Sequence, residues 1–244
     1  MAEAQPKVTL ISYTIDPEQT VVAAVRQCYS KVSGAELKEK TSEEKKVKLL
    51  NQIVASGHTS TIEHASFTFS IEGVSRALTH QLVRHRIASY SHQSQRYVES
   101  KEPVYIVPPK IKAGGKDAIN RVSTLELYEK CMQDAWNNYR KLLETGIEKE
   151  DARYVLPNAA ETKIVVTMNA RALLNFFEKR LCNRAQWEIH VLAFKMLTEV
   201  KKVAPNIFKY AGPTCETEKI CWEGNLSCGK WKAIKGAELR ERHV

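Results

Sequence analysis

Between Arg84 and Arg96 the chain reads Arg-His-Arg-Ile-Ala-Ser-Tyr-Ser-His-Gln-Ser-Gln-Arg, which places three guanidinium groups, two imidazoles and four hydroxyls in one short stretch. Like charges this close repel, and polar groups drawn into a fold cost free energy unless an anion or a hydrogen-bonding group meets them. Phosphate is the natural partner. A planar guanidinium donates two hydrogen bonds to one phosphate, and Ser hydroxyls and backbone N–H groups complete the shell. A plain charge block marks a solvated face. This run uses Arg and no Lys, mixed with His, Ser and Tyr in place of Glu spacers, and so favours the ligand-binding reading.

The elements that would position the run are legible around it. Val74, Ala77, Leu78, Leu82 and Val83 recur at helical spacing and predict an amphipathic helix from about Gly73 to Arg86. Consecutive helical side chains point about 100° apart, so Arg84, His85 and Arg86 would serve two ligands or two subunits. Ser94 and Arg96 are two apart and would face the same way in an extended chain. Upstream, Val8–Tyr13 alternates as a strand and Pro17–Tyr29 reads as a helix. Thr41-Ser42-Glu43-Glu44 resembles a capping box whose helix stops at Gly57, leaving His58 just beyond the end. Ser66–Glu72, with Phe67, Phe69 and Ile71 on one face, predicts a half-buried strand.

Farther on, Pro103–Pro108 reads as extended, Lys110–Lys116 as a basic loop, and Asp117–Glu144 as a long helix closed by Gly146. Lys163–Met168 is strand-like and leads into a helix carrying Leu173, Leu174, Phe176 and Phe177; another helix is expected from about Arg184 to Val203. The whole describes one mixed α/β domain. Its 244 residues and 43% hydrophobic content suit a single domain with a sizeable core.

No apolar run approaches the ~20 residues needed to span a bilayer, and Met-Ala-Glu-Ala-Gln-Pro lacks the order of a secretion signal. A cytoplasmic protein without membrane partners is expected. Six cysteines, Cys28, Cys131, Cys182, Cys215, Cys221 and Cys228, would stay reduced there. Cys215, Cys221 and Cys228 cluster, but they lack the Cys-x2-Cys knuckle and no fourth ligand is evident, so no metal is expected.

Arg-His-Arg, seven residues, Ser, any residue, Arg resembles the signature of the flavin-dependent thymidylate synthases. Further segments in the same order strengthen the resemblance: Gly57-His58-Thr59-Ser60 then Glu63-His64, Gln81, Ala152-Arg153-Tyr154-Val155-Leu156-Pro157, Asn169-Ala170-Arg171 with Asn175, and Arg180 followed by Ala185-Gln186-Trp187-Glu188. Together they cover about residues 8 to 210. The resemblance implies an α/β (α+β) fold with a central mixed or antiparallel sheet flanked by helices, and a homotetramer with inter-subunit active sites. It also implies a catalytic domain over residues 1–215, followed by a Cys-containing basic tail, 216–244.

The activity implied is reductive methylation of dUMP to dTMP. Methylenetetrahydrofolate would give the carbon, and FAD reduced by NADPH the electrons. By the same resemblance Arg180 activates the pyrimidine, which Gln81, Leu82, Val83, Arg84, His92, Gln93, Ser94, Gln95, Arg96 and Arg153 help to bind. The flavin falls to His58, Ser60, His85, Arg86, Ile87, His92, Asn169, Ala170, Arg171 and Asn175. No cysteine lies within the signature, so ring activation by an enzyme thiol is replaced by electrostatic stabilisation of negative charge on uracil.

Several of these residues have plainer readings taken alone: His58 as a loop residue after a helix, Arg153 as a surface cation, Asn169 as an N-cap, and Arg180 as a last-turn cation on the helix dipole. His92 stands where many family members carry a carboxylate or amide. Its protonation would add charge, so activity is expected to fall below the imidazole pKa more steeply than in His92→Gln.

A net charge of +9 accommodates nucleic acid as well as these anionic small molecules. The Lys-rich pieces are scattered and no nucleic-acid motif is present, so no nucleic-acid partner is expected. The two rival classes are a basic nucleic-acid module, whose affinity would fall steeply with salt, and a flavoprotein reductase or folate-dependent methylase of RNA uracil, which would not need a mononucleotide phosphate clamp.

Overall fold

In a computed structural model the protein is described for residues 2–39, 41–115 and 123–233. The elements run β1 (Ala2–Glu3), β2 (Lys7–Tyr13), α1 (Pro17–Gln27), α2 (Gly34–Glu39), α3 (Glu43–Ser56), β3 (Ser66–Ser75), α4 (Arg76–Leu82), β4 (Ala88–His92) and β5 (Val104–Tyr105). They continue with α5 (Pro109–Lys112), α6 (Thr124–Glu144), α7 (Lys149–Ala152), β6 (Glu161–Asn169), α8 (Ala170–Arg180), α9 (Trp187–Val203), α10 (Thr214–Glu218), β7 (Ile220–Cys221) and β8 (Lys232–Ala233). Strands β2-β3-β6-β4 form a four-stranded sheet in that order, so the fold is mixed α/β as the sequence predicts.

The described residues fall into two compact units, one drawn from 2–7, 70–84, 90–115 and 123–165, the other from 8–39, 41–69, 85–89 and 166–233. In the first, Tyr105, Val107, Met132, Trp136 and Ala160 make a buried core. Its aromatic polar atoms are satisfied: Trp136 Nε1 donates to Ser100 Oγ at 3.0 Å and the Tyr128 hydroxyl to the Ile106 carbonyl at 2.7 Å. Helix α6 opens on a reciprocal capping box, Ser123 Oγ accepting from Glu126 N–H and the Glu126 carboxylate from Ser123 N–H. The predicted residues 117–122 and Lys116 lie outside the described residues, as do residues 234–244 of the tail.

Gly73 sits in β3 at φ +70°, and a Cβ there would lie 2.0 Å from the Gln5 carbonyl oxygen. Only glycine meets both conditions. Gly73→Ala is expected to cost about 2 kcal/mol or more, read as a lower urea midpoint at unchanged slope.

In the second unit, Phe67, Phe177 and Phe208 interlock edge to face at 5.4 and 5.9 Å. Helix α9 buries Ile189, Leu192, Ala193, Met196, Leu197 and Val200, the stripe of a core-facing helix. The buried Glu18 carboxylate closes α1 against the 206–207 turn, accepting from Asn206 N–H, Asn206 Nδ2 and Ile207 N–H at 2.6, 2.8 and 3.2 Å.

Several predicted boundaries move. The helix expected over Gly73–Arg86 is only α4, because Ser75 Oγ takes the Leu78 N–H at 2.9 Å and fixes its start after the end of β3. The Tyr90 hydroxyl accordingly finds the Leu82 carbonyl, at 2.8 Å. Arg84, His85 and Arg86 therefore lie beyond the helix, and helical angles do not govern them. Ser42 is the N-cap of α3 by position, but its side chain makes no capping bond; Gly57 ends the helix at φ +73° as expected. Helix α1 stops at Gln27, not Tyr29. Part of the supposed basic loop is the helical turn α5, and α9 starts at Trp187 because Gln186 Oε1 accepts the Glu188 and Ile189 N–H groups.

Candidate functional site

In the second unit, candidate residues gather around α8. Asn169 does cap this helix, its Oδ1 accepting the Ala172 N–H at 2.8 Å. The 3-10 turn Thr59–His64, which carries Ser60 and follows His58, is joined to the start of α8 twice: Arg171 Nη1 meets Glu63 Oε1 at 2.6 Å, and Ala170 N–H donates to the Ala65 carbonyl at 2.8 Å. His58, Ser60, Arg171 and Asn175 are exposed along this edge. Positive dipole, exposed guanidinium and amide side chains together make a seat for an anionic group.

At the other end of α8, Arg180 Nε donates to His85 Nε2 at 2.8 Å. The His85 ring lies edge-on to Phe176 at 4.9 Å. Burial, and then the charge of Arg180, hold the imidazole pKa down to about 4. His85 is thus neutral at physiological pH with Nε2 as acceptor, which places its proton on Nδ1. Arg180 is a last-turn cation, as its plain reading had it, yet its guanidinium is oriented by a side chain from the signature.

In the first unit a second set converges on Glu150. Arg96 Nε meets Glu150 Oε2 at 2.5 Å, and Arg153 Nε donates to the Glu150 carbonyl at 2.9 Å. Arg153 is half-buried, neither pointing fully inward nor lying free on the surface. Arg76 joins the set: burial and the neighbouring Arg153 weaken its hold on its proton, and its Nη1 reaches the Gln93 carbonyl at 3.5 Å. Of these three guanidinium groups only Arg96 meets a carboxylate, so local positive charge remains for a phosphate to meet. Arg76 and Glu150 were not anticipated. The Lys-Glu-Asp-Ala cluster before Arg153 was the available signal for Glu150; Arg76 looked like any helix-start cation.

Ser94 and Arg96 are not in an extended segment. Ser94 Oγ accepts the Arg96 backbone N–H at 3.2 Å and its carbonyl accepts from Tyr97 and Val98, so a turn, not strand alternation, relates the two residues. Gln93 and Gln95 instead line a cavity of ≈ 370 Å³ whose wall carries Glu99, Glu102 and Glu161, a poor place for an anion. Leu82 and Ala170 are fully buried and present no side chain to a ligand, while Val83, Arg84, Arg86 and Ile87 are exposed and Gln81 is half-buried.

His92 Nε2 pairs with the buried Thr162 hydroxyl at 2.9 Å. Burial, then Arg76 and His80, lower its pKa to about 4. The expected acid loss near the ordinary imidazole pKa is therefore corrected, because the folded ring stays neutral down to about pH 4. Activity profiles of His92→Gln and the unaltered protein should coincide from about pH 5.5 to about pH 8; a divergence centred near the ordinary value would overturn this. Stability follows the same sign for His85 and His92. The unfolded chain takes up protons from about pH 6.5 downward while the folded rings wait until about 4, so stability falls as pH drops through that window.

Comparison with known proteins follows the same residues. The family model described as "Thymidylate synthase complementing protein" matches residues 9–206. A flavin-dependent thymidylate synthase of Clostridium tetani is 51% identical over 245 residues, covering 94% of this chain and 95% of its own. One from Geobacter sulfurreducens is 51% identical over 229 residues, covering 94% and 96%. Among solved structures, the UMP/dUMP methylase PolB from Streptomyces cacaoi bound with 5-Br dUMP superposes with a TM-score of 0.71 at 26% identity, over 86% of this chain and 96% of that one.

Proposed function

Because the chain belongs to the flavin-dependent thymidylate synthase family, we propose that it methylates dUMP to dTMP reductively, with FAD as its flavin, methylenetetrahydrofolate as carbon donor and NADPH as the source of electrons. The observation that carries this reading is the Arg180–His85 pair, a guanidinium held at 2.8 Å by a neutral imidazole. A protonated imidazole would repel Arg180; a neutral one fixes Nε and with it the plane of the group. So oriented, Arg180 stabilises negative charge on the uracil ring and favours loss of the proton from ring nitrogen three, making carbon five electron-rich without a sulfur at carbon six.

Arg96, Arg153 and Ser94 hold the nucleotide phosphate, with Arg76 adding charge behind them. His58, Ser60, Arg171, Asn175 and the N-terminus of α8 fit an anionic dinucleotide, and His85 Nδ1–H and Arg86 supply further donors. When bound, reduced flavin supplies the hydride that brings the transferred carbon to the methyl level. The side chains align and polarise; carbon five gains the one-carbon unit and gives up its proton.

The catalytic body is residues 1–215, and the assembly is a homotetramer whose sites draw on several chains. Exposed apolar side chains support it, among them Ile11, Ile15 and Ile87 at 53%, 79% and 76% exposure and Phe194 on α9 at 62%. Among the described residues no helix is long and apolar enough to cross a membrane.

The test is direct. Purified protein should be yellow, release FAD into the supernatant on heating, and form dTMP from dUMP only when methylenetetrahydrofolate and NADPH are both supplied. A colourless protein that forms dTMP, or a yellow one that forms none, overturns the proposal.

A further inference from the structure

Four of the six cysteines, Cys182, Cys215, Cys221 and Cys228, line one cavity of ≈ 20 Å³, together with Arg184 and Lys230. That volume suits a single ion or water. The sequence showed only three neighbours, and the fold brings in the fourth. Cys182 lies two residues past the end of α8, Cys215 is on α10, Cys221 ends β7, and Cys228 precedes Gly229 at φ +81°.

Two of the sulfurs accept N–H groups. Arg184 N–H points to Cys182 Sγ at 3.5 Å, and Asn183 Nδ2 to Cys228 Sγ at 3.7 Å. The Lys230 backbone N–H, brought round by Gly229, reaches the Cys228 sulfur as well. Cys215 has Cys182, Cys221, Glu216 and Cys228 around it. Four thiols in one place oppose each other's ionisation unless a cation sits among them.

The surrounding segment needs a fastening. From residue 214 to 233 the described chain has a five-residue helix, a 3-10 turn at Gly224–Leu226 and two strands of two residues, and Cys221 is its one buried apolar side chain. So little buried surface does not hold a segment of this length in place.

We propose that Cys182, Cys215, Cys221 and Cys228 form a four-thiolate zinc site that fastens the tail to the chain just beyond α8. Zinc suits four sulfurs in tetrahedral array, with N–H···S bonds as the outer layer. Each thiol gives its proton to solvent on loading; Arg184 and Lys230 face the cavity, with Lys230 also paired to Glu216 at 2.5 Å and Glu216 and Glu223 on the same wall. Among the described residues no group of three His, Cys, Asp or Glu side chains is placed so as to hold a metal ion as the structure stands. Loading therefore requires the thiols to turn inward. The ion would fix the chain two residues after Arg180, so the site is a structural brace close to the activating guanidinium.

Elemental analysis of the full chain, purified reduced from zinc-supplemented medium, should find about one zinc per chain. Cys215→Ser and Cys228→Ser should lose it, and Cys28→Ser and Cys131→Ser should keep it. Independently of how those variants fold, unaltered protein stripped by a chelator and titrated anaerobically with cobalt alone should develop thiolate-to-cobalt charge-transfer bands, with tetrahedral d–d absorption, saturating at about one equivalent. Metal-free protein that gives no cobalt spectrum, iron in place of zinc, or disulfides among the four cysteines would each overturn the proposal.

Discussion

Arg180→Ala is expected to lower the rate of thymidylate formation by about 10²–10³-fold, with the protein still folded and still yellow. The guanidinium stands at the end of α8, its Nε committed to His85, so its removal takes away a charge aimed by a signature side chain and leaves the helix itself intact. The loss should appear in kcat more than in KM, because charge on the pyrimidine develops only as the reaction proceeds. Arg180→Lys keeps the charge but not the planar fork or the Nε donor, and should lie nearer to Ala than to the unaltered protein. His85→Gln retains an acceptor for Arg180 and should be mild, whereas His85→Leu should approach the effect of losing Arg180. Full turnover in Arg180→Ala would remove the proposed activation.

Arg96→Ala should act on the other half of the chemistry, raising the KM for dUMP by about 10–100-fold with a smaller change in kcat. A hydrogen bond to a charged group contributes about 1.5–3 kcal/mol, and each 1.4 kcal/mol is about tenfold. Glu150→Gln tests the arrangement separately. Its carboxylate orients Arg96 at 2.5 Å and its carbonyl holds Arg153 at 2.9 Å, but the substitution removes only the former. A KM rise smaller than that of Arg96→Ala is expected, with the salt dependence of dUMP binding preserved. An unchanged KM in Arg96→Ala would show that the phosphate lies elsewhere.

Strands and long helices were legible because their apolar periods are long: Phe67, Phe69 and Ile71 mark β3, and the stripe from Ile189 to Val200 marks α9. The helix through the signature was overextended because Val83 continues its apolar period. The start is set by Ser75 and the end is met by the Tyr90 hydroxyl on the Leu82 carbonyl, and a local period carries no trace of either. The same holds for Ser94 and Arg96, where spacing suggested a strand and a side-chain-closed turn formed.

At the candidate site, residue types were legible and partners were not. Arg180 and His85 are 95 positions apart, and Arg96 and Glu150 are 54 apart. The neutral states of His85 and His92 follow from burial and from Arg180 and Arg76, which only the folded arrangement supplies. Cys182 is the plainest case. It sits far from Cys215, Cys221 and Cys228 in sequence and beside them in the fold, so the three-cysteine tail lacked its fourth member until the chain was seen folded.

The most direct measurement is tritium release from dUMP labelled at carbon five, made with flavin-stripped protein and again after FAD is restored, methylenetetrahydrofolate and NADPH being present throughout. Release that depends on FAD, keeps pace with dTMP formation and collapses in Arg180→Ala is the predicted result. Release at the same rate without flavin, accompanied by a nucleotide bound through a cysteine sulfur in the acid-quenched protein, would contradict the account.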